Sequence, residues 1–228
     1  MSKSTAPWLR ASVMALAISV GGAVCAQDAA KVELPIKLPR PMFTGTPKNI
    51  KTANLEPPRS EQKRPAFMAP PGLTNLALRK AVSGSDEEPV IGTLEQITDG
   101  DKEGVEGSYV ELGPRKQYVQ IDLGKTATLY AVVLWHFHSQ ARVYRDVIIQ
   151  TAADEDFITD VKTIYNNDHD NSSGLGVGKD FEYIETYEGR LIPVDGVTGR
   201  YVRCYSTGNT SDEMNHYTEV EVYGIAKP

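Results

Sequence analysis

From residue 75 onward, apolar positions recur with a period of two and are broken by short polar clusters. In 118–123, Tyr118, Gln120 and Asp122 fall on one side, with Val119, Ile121 and Leu123 on the other. Such alternation marks a strand with one face buried. Glu219 and Glu221 likewise share a face opposite Val220 and Val222. Ala131-Val132-Val133-Leu134 is continuous instead, as expected of a strand buried on both faces. Further strands are predicted over 109–112, 128–137, 146–151, 161–165, 181–184, 200–206 and 217–223, all rich in Val, Ile, Tyr and Thr. Turn clusters at Gly113-Pro114, Gly124-Lys125, Asn166-Asn167-Asp168, Asp195-Gly196 and Gly208-Asn209 separate them. Apart from one possible turn at 153–157, nothing holds a helical period. About eight short strands without helices predict an all-β fold, a jelly-roll β-sandwich with loops gathered at its two ends.

Carried past Trp135, the same period sets His136 and His138 on one face and Trp135 and Phe137 on the other. Arg142 and Arg145 follow in the next loop. Arginine forks and imidazoles beside an aromatic surface suit sugar hydroxyls or carboxylates. The competing reading of Arg142 and Arg145 is ion pairing within an acidic domain. Trp135 is either the core end of its strand or a sugar platform. Two imidazoles on one strand face also raise a zinc or copper site, which needs a further ligand from His169, His216 or a carboxylate.

Composition divides the chain. Lys3 and Arg10 precede a small apolar stretch, and Val24-Cys25-Ala26 fits a cleavage site, so residues 1–26 read as a signal peptide and the protein as secreted or periplasmic. Val24 stands where a lipoprotein signal requires a small residue, which favours soluble export over lipidation of Cys25. No segment of the mature chain is long and apolar enough to cross a membrane. Residues 27–72 hold nine prolines, with eight basic against four acidic side chains, and read as an extended linker. Residues 73–228 carry fourteen basic and twenty-six acidic side chains, a formal charge of -12. That balance excludes nucleic acid as a partner, because phosphates need a basic face. Cys204, alone after cleavage, has no disulfide partner and reads as a buried small hydrophobe.

Asp99-Gly100-Asp101 offers hard oxygen ligands in a tight turn, which is calcium chemistry; the alternative is a turn whose carboxylates bond their own backbone. An EF-hand is excluded, since the twelfth position of such a loop is Val110. The run from Gly174 to Gly178 lacks the Lys-Ser/Thr of a phosphate loop and reads as a flexible loop. No catalytic set stands out: Cys204 has no neighbouring histidine, and Asp154 and Asp156 are ordinary turn carboxylates. The chain is therefore expected not to be an enzyme.

Asn75-Leu76-Ala77-Leu78, Ile97-Thr98-Asp99-Gly100-Asp101, Tyr118-Val119-Gln120-Ile121-Asp122-Leu123-Gly124, Gly199-Arg200-Tyr201-Val202-Arg203 and Glu219-Val220-Glu221-Val222-Tyr223-Gly224 occur in that order. The ordered set resembles the discoidin-like family, the galactose-binding-like jelly rolls that include coagulation-factor type C domains, fucose-binding lectins and carbohydrate-binding modules. The resemblance spans residues 73–228. It implies a structural calcium held by Asp99, Glu219 and Ser108, by the backbone of Gln96 and Asp101, and by the Thr218 carbonyl. It also implies a ligand site on loops at one end of the sandwich, drawing on Trp135, His136, His138, Arg142 and Arg145. Arg142 matches the second of two arginines in the fucose-binding lectins, whereas His136 or His138 stands near the first, a departure that speaks against fucose itself. The expected partner is a carbohydrate or glycoconjugate. The alternatives are an envelope protein, for which the same loops would be an interaction surface, or a metal-dependent enzyme using His136 and His138.

Overall fold

A computed structural model describes Met1 and residues 30–43, 47, 49–59 and 63–228. The proposed signal peptide, apart from Met1, lies outside the described residues. The described chain is almost entirely β. Two strands dominate it, β6 (Gln117–Trp135) and β9 (Arg190–Ser206), numbered in chain order. They pair antiparallel along nearly their whole length, with register shifts between Asp122 and Ala127 and between Leu129 and Ala131.

Those shifts explain two turn clusters that do not reverse the chain. Gly124-Lys125 and Asp195-Gly196 lie inside β6 and β9, where the ribbon bulges and bends. Gly124 and Gly196 take φ of 83° and 65°, values that glycine adopts without steric cost. Bending lets the two halves of one ribbon contribute to a single core. Val119, Ile121 and Leu123 from the first half of β6 join Leu129, Val132 and Leu134 from the second, with Val202 and Cys204 of β9.

Shorter strands extend the ribbon. β11 (Glu219–Ala226) pairs with Ala127–Trp135, and β3 (Thr74–Asn75) pairs with β11. β7 (Ile148–Ala152) and β8 (Lys162–Asn166) add to the other half through β9, and β4 (Val82–Gly84) pairs with β6. A separate pair joins β5 (Val110–Leu112) to β10 (Asn215–Tyr217). One short 3-10 helix, Leu94–Thr98, was not expected, and residues 153–157 form only a turn. The expected strand at 181–184 is reduced to one bridge, Glu182 to Leu55, because its backbone partners are residues 54–56 of the proline-rich segment rather than a neighbouring strand of the sheet. Cys204 is fully buried in the core, which pushes its thiol up to about 12.

The described parts of the proline-rich segment lie against the sandwich. β1 (Val32–Glu33) pairs with β2 (Met68–Ala69). Leu34 and Ala69, with Ile36 and Phe67 beside them, pack on Ala131, Val133, Trp135 and Tyr223. Basic residues of the segment meet acidic ones of the sandwich: Arg59 Nη1 lies 2.7 Å from Glu188, and the Arg64 amide donates to Glu188 Oε1 at 3.0 Å. A sandwich residue returns the contact, Arg190 to Glu56 at 2.6 Å. The strap explains the continuous apolar run in β6: Val132 and Leu134 face the core while Ala131, Val133 and Trp135 face the strap.

Candidate functional site

β6 ends at Trp135, so strand alternation does not continue through His136, Phe137 and His138. Trp135 is fully buried beneath the strap, donates its indole N–H to the Tyr187 carbonyl at 3.0 Å, and leaves no room for a side chain at Gly189. With no exposed surface, it cannot serve as a sugar platform in this conformation. His136 is also fully buried, stacked 4.1 Å from the Tyr144 ring with Nδ1 3.1 Å from Glu185 Oε2. His138, buried as well, turns elsewhere and places Nε2 2.8 Å from the Lys102 carbonyl oxygen. The two imidazoles thus have different partners, and neither reaches the surface to touch a ligand. Among the described residues they form no cluster with a third ligand of metal-binding geometry.

Burial governs the Glu185–His136 pair. It pushes Glu185 up to about 8 and His136 down to about 3, so near neutral pH the pair is a carboxylic acid beside a neutral imidazole. Glu185, raised in the fold, stabilises fully below its unfolded value and loses that contribution as pH rises through about 8. His136, depressed, loses its contribution as pH falls below its unfolded value toward about 3. The melting temperature should therefore peak near pH 5 to 6, between the reference carboxyl and imidazole values. Glu185→Gln should make the alkaline decline shallower, as thermal melts across pH 4–9 will show.

Arg142 behaves differently. Although mostly buried, its Nη1 donates to Asp212 at 3.2 Å, its guanidinium sits 4.9 Å from the Phe137 ring centroid, and its Nε has no partner. Asp212 is held by its own loop: Asn209 Nδ2 donates to Asp212 Oδ1 at 2.6 Å, and Asn209 Oδ1 accepts the Ser211 and Asp212 amides. Phe137 and Tyr109, both partly exposed, approach with ring centroids 4.7 Å apart. Behind them His216 is clamped between Tyr144 Oη at 3.0 Å and Glu111 Oε2 at 3.0 Å. Burial, reinforced by the Arg142 charge, lowers the His216 pKa. Strand β5 with the loop before it, and the loops after β6 and before β10, thus bring together two aromatic faces, one guanidinium and two carboxylates. Arg145 does not join them; it is exposed, and its backbone pairs with Gly208 and Thr207.

Of the residues expected to hold a ligand, Arg142 alone lies in this cluster; Tyr109, Phe137, Glu111 and Asp212 are not among them. His216 entered only as a metal ligand. A readable signal existed in the Asn209–Asp212 loop, where an Asn and an Asp three apart favour a locked turn.

The acidic turn offers a second arrangement. Glu219 is buried, accepts the Gly100 amide on Oε2 at 3.1 Å and leaves Oε1 unpartnered. Burial, with Glu221 and Asp99 nearby, pushes its carboxyl up to about 9. An orphaned carboxylate oxygen beside a second carboxylate is the donor set a hard cation wants. Asp101 and Ser108 are engaged with each other, Ser108 Oγ donating to Asp101 Oδ2 at 2.8 Å. The Gln96 side chain is caught between the Thr93 amide and the Gly107 carbonyl, and the Thr218 hydroxyl donates to the His136 carbonyl; neither contact involves the backbone atoms expected as ligands. Of these residues, Glu219 is the one with a buried oxygen left unpartnered. Elsewhere, Asp146, Asp168 and Asp170 bring three carboxylate oxygens within 4.8 Å, an acidic triad able to hold a cation.

Neither a protein-family model nor a curated protein sequence matches the chain. Solved structures do. A family 89 glycoside hydrolase from Clostridium perfringens aligns over 67% of this chain and 15% of its own, with 17% identity and a TM-score of 0.51. The fold is discoidin-like. The chain spans only a small part of that hydrolase. A CBM32 module of the same organism, complexed with GlcNAc-α-1,4-galactose, aligns over 68% of this chain and 96% of its own at 20% identity and a TM-score of 0.49. A chitosan-binding module from a Paenibacillus chitosanase/glucanase aligns over 66% and 99% at 22% identity and 0.47. No helix among the described residues is long and apolar enough to cross a membrane.

Proposed function

We propose that this protein is an exported, non-catalytic module that binds a carbohydrate at the Tyr109–Phe137–Arg142 cluster. The observation that carries the reading is the partly exposed aromatic pair beside the Arg142 guanidinium. A sugar's C–H face packs on aromatic rings, while Arg142, Asp212 and Glu111 offer directed hydrogen bonds to its hydroxyls. The deep site chemistry that catalysis would use is spent otherwise: the two buried histidines are tied to Glu185 and to a backbone carbonyl. Secretion or periplasmic export would yield a mature chain starting at Gln27, measurable by mass spectrometry.

A glycan array probed with the full chain, with and without calcium, tests the binding reading. Galactose-, GlcNAc- and glucosamine-containing oligosaccharides are natural first probes. Retention of a defined glycan class supports it; an array without any retained glycan overturns it in favour of an envelope protein at the same loops.

Calcium at Glu219 and Asp99 completes this reading. Its role would be to bind a buried carboxylate that otherwise takes up a proton and to fix the 99–101 turn against β11. A ligand bound only by the native state must raise stability. Millimolar calcium should raise the melting temperature of chelator-treated protein, and Glu219→Gln should abolish the response. Equal melting with and without calcium would remove the ion.

A further inference from the structure

The acidic sandwich carries a basic hollow at the end opposite the proposed sugar loops. A cavity of about 430 Å³ opens between the segment that follows β3, the β6 bulge and the end of β11, lined by Leu76, Leu78, Lys80, Leu123, Lys125 and Asn75 among others. A side-chain carbon placed on Gly124 would stand 3.4 Å from Lys80 Nζ, so the Lys80 ammonium hangs over the bulge next to Lys125. Neither lysine has an ion-pair partner among the described residues. The carboxylate beside them, Asp122, is already taken: Arg200 holds both of its oxygens at 2.8 Å, and the Gly124 amide donates to it at 2.8 Å. A third basic residue, Lys227, anchors its backbone to Thr126 at the same end.

Two lysines and no carboxylate line the hollow, in a domain of formal charge -12. The walls beside them are aliphatic, and Leu78 is 48% exposed. Asn75 spends its side-chain oxygen on the Ala77 and Val222 amides, at 3.1 Å each, while its amide nitrogen has no acceptor among the described residues. The hollow therefore combines two cations, one neutral donor and an apolar wall in a volume suited to one or two sugar rings.

We infer that this hollow is a second binding site, for the anionic residue of an acidic saccharide. A carboxylate or sulfate sits between Lys80 and Lys125, and the ring's C–H face lies on Leu76 and Leu78. The class of ligand rests on the carbohydrate-binding reading; the location does not. Two sites at opposite ends of one sandwich would let the module grip a chain of mixed neutral and acidic sugars, or bridge two chains.

The test is an NMR titration of the full chain with three probes: a uronic-acid oligosaccharide, a sulfated galacto-oligosaccharide and a neutral oligosaccharide of the same length. The expected result is amide shifts at 75–80 and 123–127 with one of the acidic probes alone. Lys80→Gln/Lys125→Gln should weaken that binding about tenfold or more, the scale of losing charged hydrogen bonds. The same variant should leave shifts at Tyr109 and Phe137 unchanged, and its melting temperature should hold because neither lysine is paired. Acidic probes that shift only the Tyr109–Phe137 loops would overturn the second site and leave the first standing. Equal response to the neutral probe at 75–80 would also overturn it. Silence at both ends with every probe would overturn both.

Discussion

Trp135→Ala should destabilise the protein by about 3–5 kcal/mol, the range for truncating a large buried aromatic. For a domain of this size that is a fall of roughly 6–20 °C in melting temperature. The indole is fully buried and loses both its contacts with the strap-side cluster and its hydrogen bond to Tyr187. A companion experiment isolates the strap. A chain beginning at Leu73 keeps every strand of the main sheet but uncovers Ala131, Val133, Trp135 and Tyr223. Such an exposed apolar patch favours association. The shortened chain should melt lower than the full chain and elute as larger species in size-exclusion chromatography. A shortened chain that stays monomeric with unchanged melting would show the strap to be a mere tether.

The second large effect concerns binding. Arg142→Ala should reduce saccharide affinity about thirtyfold or more, in keeping with arginine anchors that cost about 2 kcal/mol or more when truncated. Part of that loss arises because Asp212 is left without its partner. Arg142→Lys keeps the charge but not the fork, so it should restore stability more than affinity. Asp212→Asn should give an intermediate loss. Titration calorimetry of the three variants, with melting curves alongside, separates binding from folding.

The β character of the chain was legible because alternation in 118–123 and 219–222 reports a half-buried sheet directly. The two-sided burial of Ala131 to Leu134 was legible as well, but the identity of its second cover was not. Proline density hides a strap that packs through a few residues such as Leu34 and Ala69 without a repeating pattern. Turn residues misled where they mark bends: Gly124 and Gly196 relieve strain in a continuous ribbon, which a sequence pattern cannot tell from a chain reversal. The site suffered from extending a strand period by three residues. Once β6 ends at Trp135, His136 to His138 lie outside any strand, and Phe137 emerges beside Tyr109. Partners distant in sequence, such as Glu185 for His136 and Asp212 for Arg142, leave no local trace.

The central claim is that Tyr109 and Phe137 form the sugar-facing surface. Isothermal titration of the full chain with the glycan most strongly retained on an array, compared with Tyr109→Ala and Phe137→Ala, tests it most directly. Both rings are partly exposed, so melting should change little. We predict saturable binding by the unaltered protein and about a tenfold loss in each variant, the equivalent of about 1.4 kcal/mol. Unchanged affinity in both variants would contradict the account.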